Sequence, residues 1–287
     1  MRVWVAFILC LIMAGCLKTT DQVDIGLLLP ERDSKLYVIC FISPQDTVLA
    51  AKVALSDPAV SPTAEPSLLV ETATVTITDE QTSVRLPYDN ALGYYRLKIG
   101  SKFSIKAGQT YQLTVQLGEG RRVTAQTTVP MAVPIQRVQR DSSITATATN
   151  QSILYRTTIF WNAPGGVNYY RGYGEVRQSI VNQQGALLET RVSQPSFFVD
   201  RETSPGPAIR SLTGTHTLVI PLNASVRTGV SRIGLFTTDL NYYRYHETLR
   251  DQINAPNNSF AASTVLFSNI VGGYGVFAAY NAMYITL

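Results

Sequence analysis

Chemistry in this chain would have to come from a short set of side chains. They are Cys10, Cys16 and Cys40, His216 and His246, the acidic pair Asp200 and Glu202, and fifteen tyrosines. Neither histidine has the His-x-x-x-His spacing or the cysteine partner of a zinc site. No Gly-x-Ser-x-Gly elbow presents a serine nucleophile, and no run of oxygen ligands at regular offsets suggests calcium. The glycines of Gly272-Gly273-Tyr274-Gly275 open no helix. They read as a turn that admits positive φ and not as a phosphate cradle. Asp200 and Glu202 sit beside Arg201 to Arg210, which contains Pro205-Gly206-Pro207 and reads as a long loop. A glycosidase needs two carboxylates about 5–9.5 Å apart, and with few acids in the chain the pair is a weak basis for one. The expectation is therefore no catalytic residue, no metal site and no cofactor. Tyrosine is the richest lead. Tyr169, Tyr170 and Tyr173 form the candidate binding aromatics, with further clusters at Tyr242-Tyr243 with Tyr245 and at Tyr274 with Tyr280. Such rings either stack on sugars and partner surfaces or fill a β-core with their hydroxyls at its rim.

Cys16 carries a more specific signal. Arg2 gives a basic start, an apolar run follows from Val3 to Met13, and Ala14-Gly15-Cys16 closes it. These are the parts of a secretory signal, too short to span a bilayer. The ending Leu11-Ile12-Met13-Ala14-Gly15-Cys16 resembles a bacterial lipobox, in which cleavage falls just before the cysteine. That resemblance implies a signal peptide over residues 1–15 and a diacylglyceryl thioether, palmitate-like in its chains, on Cys16. Each buried methylene contributes about 0.8 kcal/mol, so two or three chains on one residue hold where a single chain holds only marginally. Cys10 leaves with the signal, and Cys40 alone remains as a free thiol within an apolar run, expected to be buried and inert.

The elements that would position these groups read as strands. Charged residues are 15% of the chain and hydrophobic ones 45%; low charge with abundant Thr, Val and Tyr fits β-structure and argues against disorder. The formal charge of +4 falls by one when residues 1–15 leave. The basic residues are scattered, with only Arg121-Arg122 adjacent, so no nucleic-acid track is expected. Residues 16–33 read as a tether. Leu36 to Ile42 is a continuous apolar strand, and Val48 to Ser56 a second. Ala73, Val75 and Ile77 alternate with threonines, as in a half-buried antiparallel strand. Tyr111, Leu113, Val115 and Leu117 share one face of another strand, which Val123 to Val129 returns. A tyrosine opening a strand after a glycine corner suggests the tyrosine corner of immunoglobulin-like sandwiches. Pro130 and Pro134 mark a boundary. Strands follow at 135–149, 153–162, 169–182, 186–194, 217–222 and 231–237. Asp239 caps a helix over 239–252, with Tyr242, Tyr245, Leu249 and Ile253 at helical spacing. The fold expected is all-β, with two β-sandwich-like domains: an immunoglobulin-like one over 34–130, and a larger one over 131–287 with that single helix.

Several of these segments together resemble a family of lipoproteins grouped as domain of unknown function 4249. The resemblance is carried by Ser268-Asn269-Ile270-Val271-Gly272-Gly273-Tyr274-Gly275-Val276-Phe277, by Tyr242-Tyr243-Arg244-Tyr245, and by the lipobox cysteine followed by Lys35-Leu36-Tyr37-Val38-Ile39. Asn258-Ser259-Phe260 departs from the family's more frequent Asn-Pro-Phe. The resemblance implies an outer-membrane lipoprotein of Bacteroidetes-type bacteria, anchored through Cys16 and facing either the surface or the periplasm. It also implies a non-enzymatic accessory or ligand-binding partner of a TonB-dependent β-barrel transporter. The alternatives are a stand-alone surface adhesin or glycan-binding lipoprotein and, behind it, a hydrolase.

Overall fold

Period-two alternation of apolar and polar residues needs a sheet with one face covered, and the chain supplies that cover with other sheets. A computed structural model describes residues 34–56, 69–100, 103–118, 120–197, 199–254 and 265–287. The signal segment 1–15 with Cys10, Cys16 and the tether 16–33, the loop with Pro58, Pro62 and Pro66, and Asn258-Ser259-Phe260 lie outside the described residues.

The described chain is all-β with one helix. In order, the strands are β1 (Leu36–Ile42), β2 (Val48–Leu55), β3 (Thr74–Thr78), β4 (Ser83–Leu86), β5 (Tyr88–Asp89), β6 (Tyr94–Lys98), β7 (Thr110–Gln116) and β8 (Arg122–Thr128). There follow β9 (Ile135–Ala146), β10 (Asn150–Ala163), β11 (Gly166–Val181), β12 (Leu187–Ser193), β13 (Val199–Ser204), β14 (Ala208–Pro221) and β15 (Ser225–Thr238). The helix α1 (Leu240–Asn254) and the last strand β16 (Tyr274–Thr286) complete the chain.

The first sandwich has the immunoglobulin strand order. One layer runs β1-β2-β6-β5 and the other β4-β3-β7-β8, corresponding to A-B-E-D and C′-C-F-G. The alternation explains its core: Ala73, Val75 and Ile77 are buried, as are Tyr111, Leu113 and Val115 on β7 and Val123 and Ala125 on β8. Each buried valine, leucine or isoleucine among them contributes roughly 1.5–3 kcal/mol when withdrawn from water. The tyrosine corner is present. Tyr111 Oη donates to the Ser104 carbonyl at 3.1 Å and accepts from the Lys106 amide at 2.8 Å, tying the chain before β7 to the strand.

The second sandwich packs β9, β10 and β14 against β11 and β15. Trp161 and Ile159 on β10 meet Tyr170 and Val176 on β11 and Ile233 and Leu235 on β15. These strands are 12 to 16 residues long, against about 5–6 in most sheets. Segment 201–210 is not the long loop expected. Residues to Ser204 pair with β11 and residues from Ala208 pair with β10, leaving Pro205-Gly206-Pro207 as a corner only. Turn-forming residues dominated the sequence signal there, whereas neighbouring strands supply the backbone hydrogen bonds. The short strands β4 and β5 carry too little pattern to read from the sequence.

The two sandwiches share one sheet of nine strands. Eight of them run β12-β11-β15-β16-β1-β2-β6-β5, and β13 pairs with β11 off that path. Its join is the parallel pairing of β16 with β1, the last strand beside the first, Val38 opposite Gly275 and Cys40 opposite Phe277. Pro130 and Pro134 fall in the connection from β8 to β9, while the sheet itself runs on across both segments.

The glycine-rich segment 272–275 makes that join. Gly275 has φ +108°, and a Cβ there would overlap the Val38 carbonyl oxygen. A Cβ at Gly273 would meet the Leu36 carbonyl in the same way. Just upstream, Asn269 acts as a strand partner for Phe277: its Nδ2 donates to the Phe277 carbonyl at 2.8 Å, and its Oδ1 accepts the Phe277 amide at 2.9 Å.

Candidate functional site

The outer face of the nine-stranded sheet collects aromatic rings from distant segments. On β11 the odd positions Tyr169, Arg171, Tyr173 and Glu175 point one way, and the even positions, Tyr170 among them, point between the sheets. Register places Phe236 beside Arg171 and Gly234 beside Tyr173, with Ala282 and Tyr284 of β16 next in the row. The result is a half-buried patch of four rings. Tyr173 stacks on Phe236 at 5.8 Å between centroids, and Phe236 stacks on Tyr280 at 5.0 Å. Tyr284 meets Tyr173 and Phe236 edge-on at 6.0 and 5.8 Å. The Arg232 guanidinium lies 3.8 Å from the Tyr284 ring centroid, and Tyr173 Oη donates to Glu175 at 3.3 Å. The patch is thus apolar at its centre, with Arg232 and Glu175 on its margin.

Helix α1 covers the continuation of this face. Asp239 caps it, accepting the Tyr242 amide at 2.8 Å, and the Thr127 hydroxyl donates to the same carboxylate. Tyr242 and Tyr245 are buried on Phe41, Val276 and Ala278. Ile253, expected on the same stripe, is 65% exposed. His246 stacks on Phe41 at 5.6 Å, and Arg171 reaches both the Tyr242 hydroxyl at 2.6 Å and His246 Nε2 at 3.2 Å. Burial, reinforced by the Arg171 charge, pushes His246 down to about 3, so its ring is neutral at ordinary pH. Asp46 borders the patch through Tyr280, whose hydroxyl donates to it at 3.1 Å. Burial pushes Asp46 up to about 6 against the opposing pull of that hydrogen bond.

The three tyrosines singled out in the sequence do not act together. Tyr173 belongs to the four-ring patch. Tyr169 shares its face but packs on Tyr243 of α1 at 4.9 Å. Tyr170 is fully buried between the sheets, 4.8 Å from Trp161. Phe236, Tyr280 and Tyr284 complete the patch. Sequence proximity could not bring them to Tyr173, because cross-strand register does so; the only local signal was the i, i+4 spacing of Tyr280 and Tyr284 on one strand face.

The other chemical candidates are wholly or partly buried. Glu202 is 4% exposed and ion-paired to Arg210 Nε at 2.9 Å, while Asp200 is half-buried with burial pushing its carboxyl up. The Cys40 thiol is 1% exposed, and burial pushes it far above the ordinary thiol range, which makes it unreactive. His216 lies between the sheets, stacked on Tyr155. Among the described residues no three His, Cys, Asp or Glu side chains gather as a metal site, and no helix is long and apolar enough to cross a membrane. What the patch can do chemically is bind, through ring faces, apolar edges and one guanidinium.

No curated protein matches the chain. A family model described as a domain of unknown function, DUF4249, matches residues 23–285, nearly the whole length, and the protein belongs to that family.

Proposed function

We propose that the protein is an outer-membrane lipoprotein, anchored through Cys16, that serves a TonB-dependent transporter as a non-enzymatic partner and engages the barrel or its ligand through the four-ring patch. The observation that carries this reading is the patch itself: Tyr173, Phe236, Tyr280 and Tyr284 form a half-buried aromatic surface at the edge of the helix-covered region. Aromatic anchors with an adjacent arginine are the residue types that dominate binding energy at protein interfaces. The lipobox supports the anchoring, since residues 1–16 have the charge, apolar length and closing cysteine that lipidation requires.

The test is co-purification of the lipidated protein from detergent-solubilised outer membranes, with mass spectrometry of what accompanies it. Removal of a whole sandwich would break the shared sheet, so point variants are the appropriate comparison. A stoichiometric β-barrel with the unmodified chain, lost with the double variant Tyr173→Ala/Tyr284→Ala, is the expected result. Recovery of the lipoprotein alone, after mild cross-linking too, overturns the transporter reading and favours an independent adhesin or glycan binder.

A further inference from the structure

The interior of the second sandwich is interrupted by a polar layer. Its buried apolar side chains fall into two clusters, one around Ile159, Trp161 and Val176, the other around Ile153, Ile180 and Leu218. Between them the inward positions are Tyr155 and Thr157 on β10, Gln178 on β11 and His216 on β14. Tyr155 and His216 are directly opposed in register and stack 4.9 Å apart, 11° from parallel. A cavity of about 440 Å³ opens beside these four side chains, and Arg140 and Gly229 also line it. On β15 one extra residue opposite Arg177 shifts the register at Gly229-Val230, a bulge that disrupts pairing beside the opening.

The polar layer is incompletely satisfied. Gln178 is 0% exposed and Thr157 1%. Gln178 Oε1 accepts from Ser193 Oγ at 2.9 Å and faces His216 Nε2 at 3.2 Å. An amide oxygen only accepts, so with the amide in this orientation His216 carries its proton on Nε2 and presents a lone pair at Nδ1. Burial lowers the His216 pKa, which favours this neutral form. Three buried atoms are left without a partner: Gln178 Nε2, Thr157 Oγ1 and His216 Nδ1. Leaving such groups unpaired in the interior is costly, and all three belong to residues lining one cavity.

The unpaired set is a donor, an acceptor and a hydroxyl that can do both. An apolar guest would leave all three unpaired. A carboxylate or phosphate would confront the His216 lone pair, and the Arg156 charge is already offset by Asp141 at 3.2 Å. Hydroxyl groups both donate and accept and so satisfy the whole set. The Tyr155–His216 stack and Arg140, whose Nη1 donates to Ser231 Oγ at 3.0 Å, add the planar groups that flank a sugar ring. The volume lies within the roughly 300–1,000 Å³ of small-molecule sites.

We propose that this cavity binds a neutral polyhydroxylated molecule of one or two sugar units, held by Gln178, Thr157 and His216 with Arg140 at the mouth. The site lies on the face of β11 opposite Tyr173, so it stands or falls independently of the transporter reading.

The test is equilibrium dialysis of the full-length, detergent-purified protein against radiolabelled glucose, galactose, mannose, xylose, N-acetylglucosamine and cellobiose, with citrate as the anionic control. The expected result is saturable retention of at least one sugar at millimolar concentration or below. Gln178→Leu should weaken it about tenfold or more; because leucine also removes the acceptor of Ser193 Oγ and His216 Nε2, its fold is checked by circular dichroism. Arg140→Ala, an exposed position, should weaken it severalfold and decides the matter should Gln178→Leu misfold. No retained sugar, equal retention by both variants, or retention of citrate alone overturns the proposal.

Discussion

The ring of Tyr284 lies across the backbone of Gly234 on the neighbouring strand, where a Cβ would come within 2.9 Å of its Cδ1 and Cε1. The contact lets the ring lie low on the sheet, with its edge toward Phe236 and its face toward Arg232. Gly234→Ala should therefore lift Tyr284 and break up the patch. A stability loss of about 1–2 kcal/mol is expected in denaturant titration, as for overpacked sites, together with reduced recovery of whatever the patch binds. Unchanged recovery would show that the geometry of Tyr284 does not matter to binding.

Tyr111 ties the Ser104 carbonyl and the Lys106 amide through a single hydroxyl. Tyr111→Phe keeps the ring and removes that link. The expected loss is about 0.5–1.5 kcal/mol, the usual net contribution of a hydrogen bond, since both bonds are only part-buried. Urea unfolding of the two proteins side by side measures it.

Gly275 separates a structural motif from a binding one. Its φ of +108° and the close Val38 carbonyl leave no room for a side chain. Gly275→Ala should break the β1–β16 pairing and prevent accumulation of folded protein. Gly118→Ala, with nothing within 4 Å of a new Cβ, should stay within about 0.5 kcal/mol of the parent. Expression yield and circular dichroism distinguish the two.

Asp46 makes stability depend on pH. Its carboxyl rises from an ordinary 3.8 to about 6 in the folded protein, so folding favours the protonated form. The stabilisation is complete below 3.8 and is lost as pH rises through about 6. Neighbouring Tyr280 and Cys40 are both pushed upward and stay neutral across that window, while Asp239 shifts in the same direction as Asp46. Asp46→Asn should flatten part of the pH dependence and be more stable than the parent above pH 6. Denaturation midpoints across the window test both statements.

On the proposed lipid anchor, Cys16→Ser should abolish incorporation of labelled palmitate, because serine supplies no thiol at the cleavage point and the free thiol of Cys40 is buried. Label retained by the variant would place the acyl chains on another residue.

Much of the fold was legible because the informative residues were neighbours. At Ala73, Val75 and Ile77, and again at Tyr111, Leu113 and Val115, period-two alternation is a local consequence of one buried face. Asp239 could be read as a helix cap for a similar reason, since its partner, the Tyr242 amide, lies three residues on. The family signature over 268–277 was equally readable, but its physical role was not. Gly273 and Gly275 are required by the carbonyls of Leu36 and Val38, at the far end of the chain. The same limit applies to the patch. Tyr173 and Tyr170 look alike in sequence, yet pleat and register send one to Phe236 and the other to Trp161. The sequence by itself determined most of the longer strands, the helix and its cap, because each depends on contacts within a few residues. Only the tertiary structure decided which rings share a face, that the first and last strands pair, and that Thr157, Gln178 and His216 meet in one buried layer. Those relationships are set by backbone hydrogen bonds between segments far apart in the chain, which no local pattern encodes.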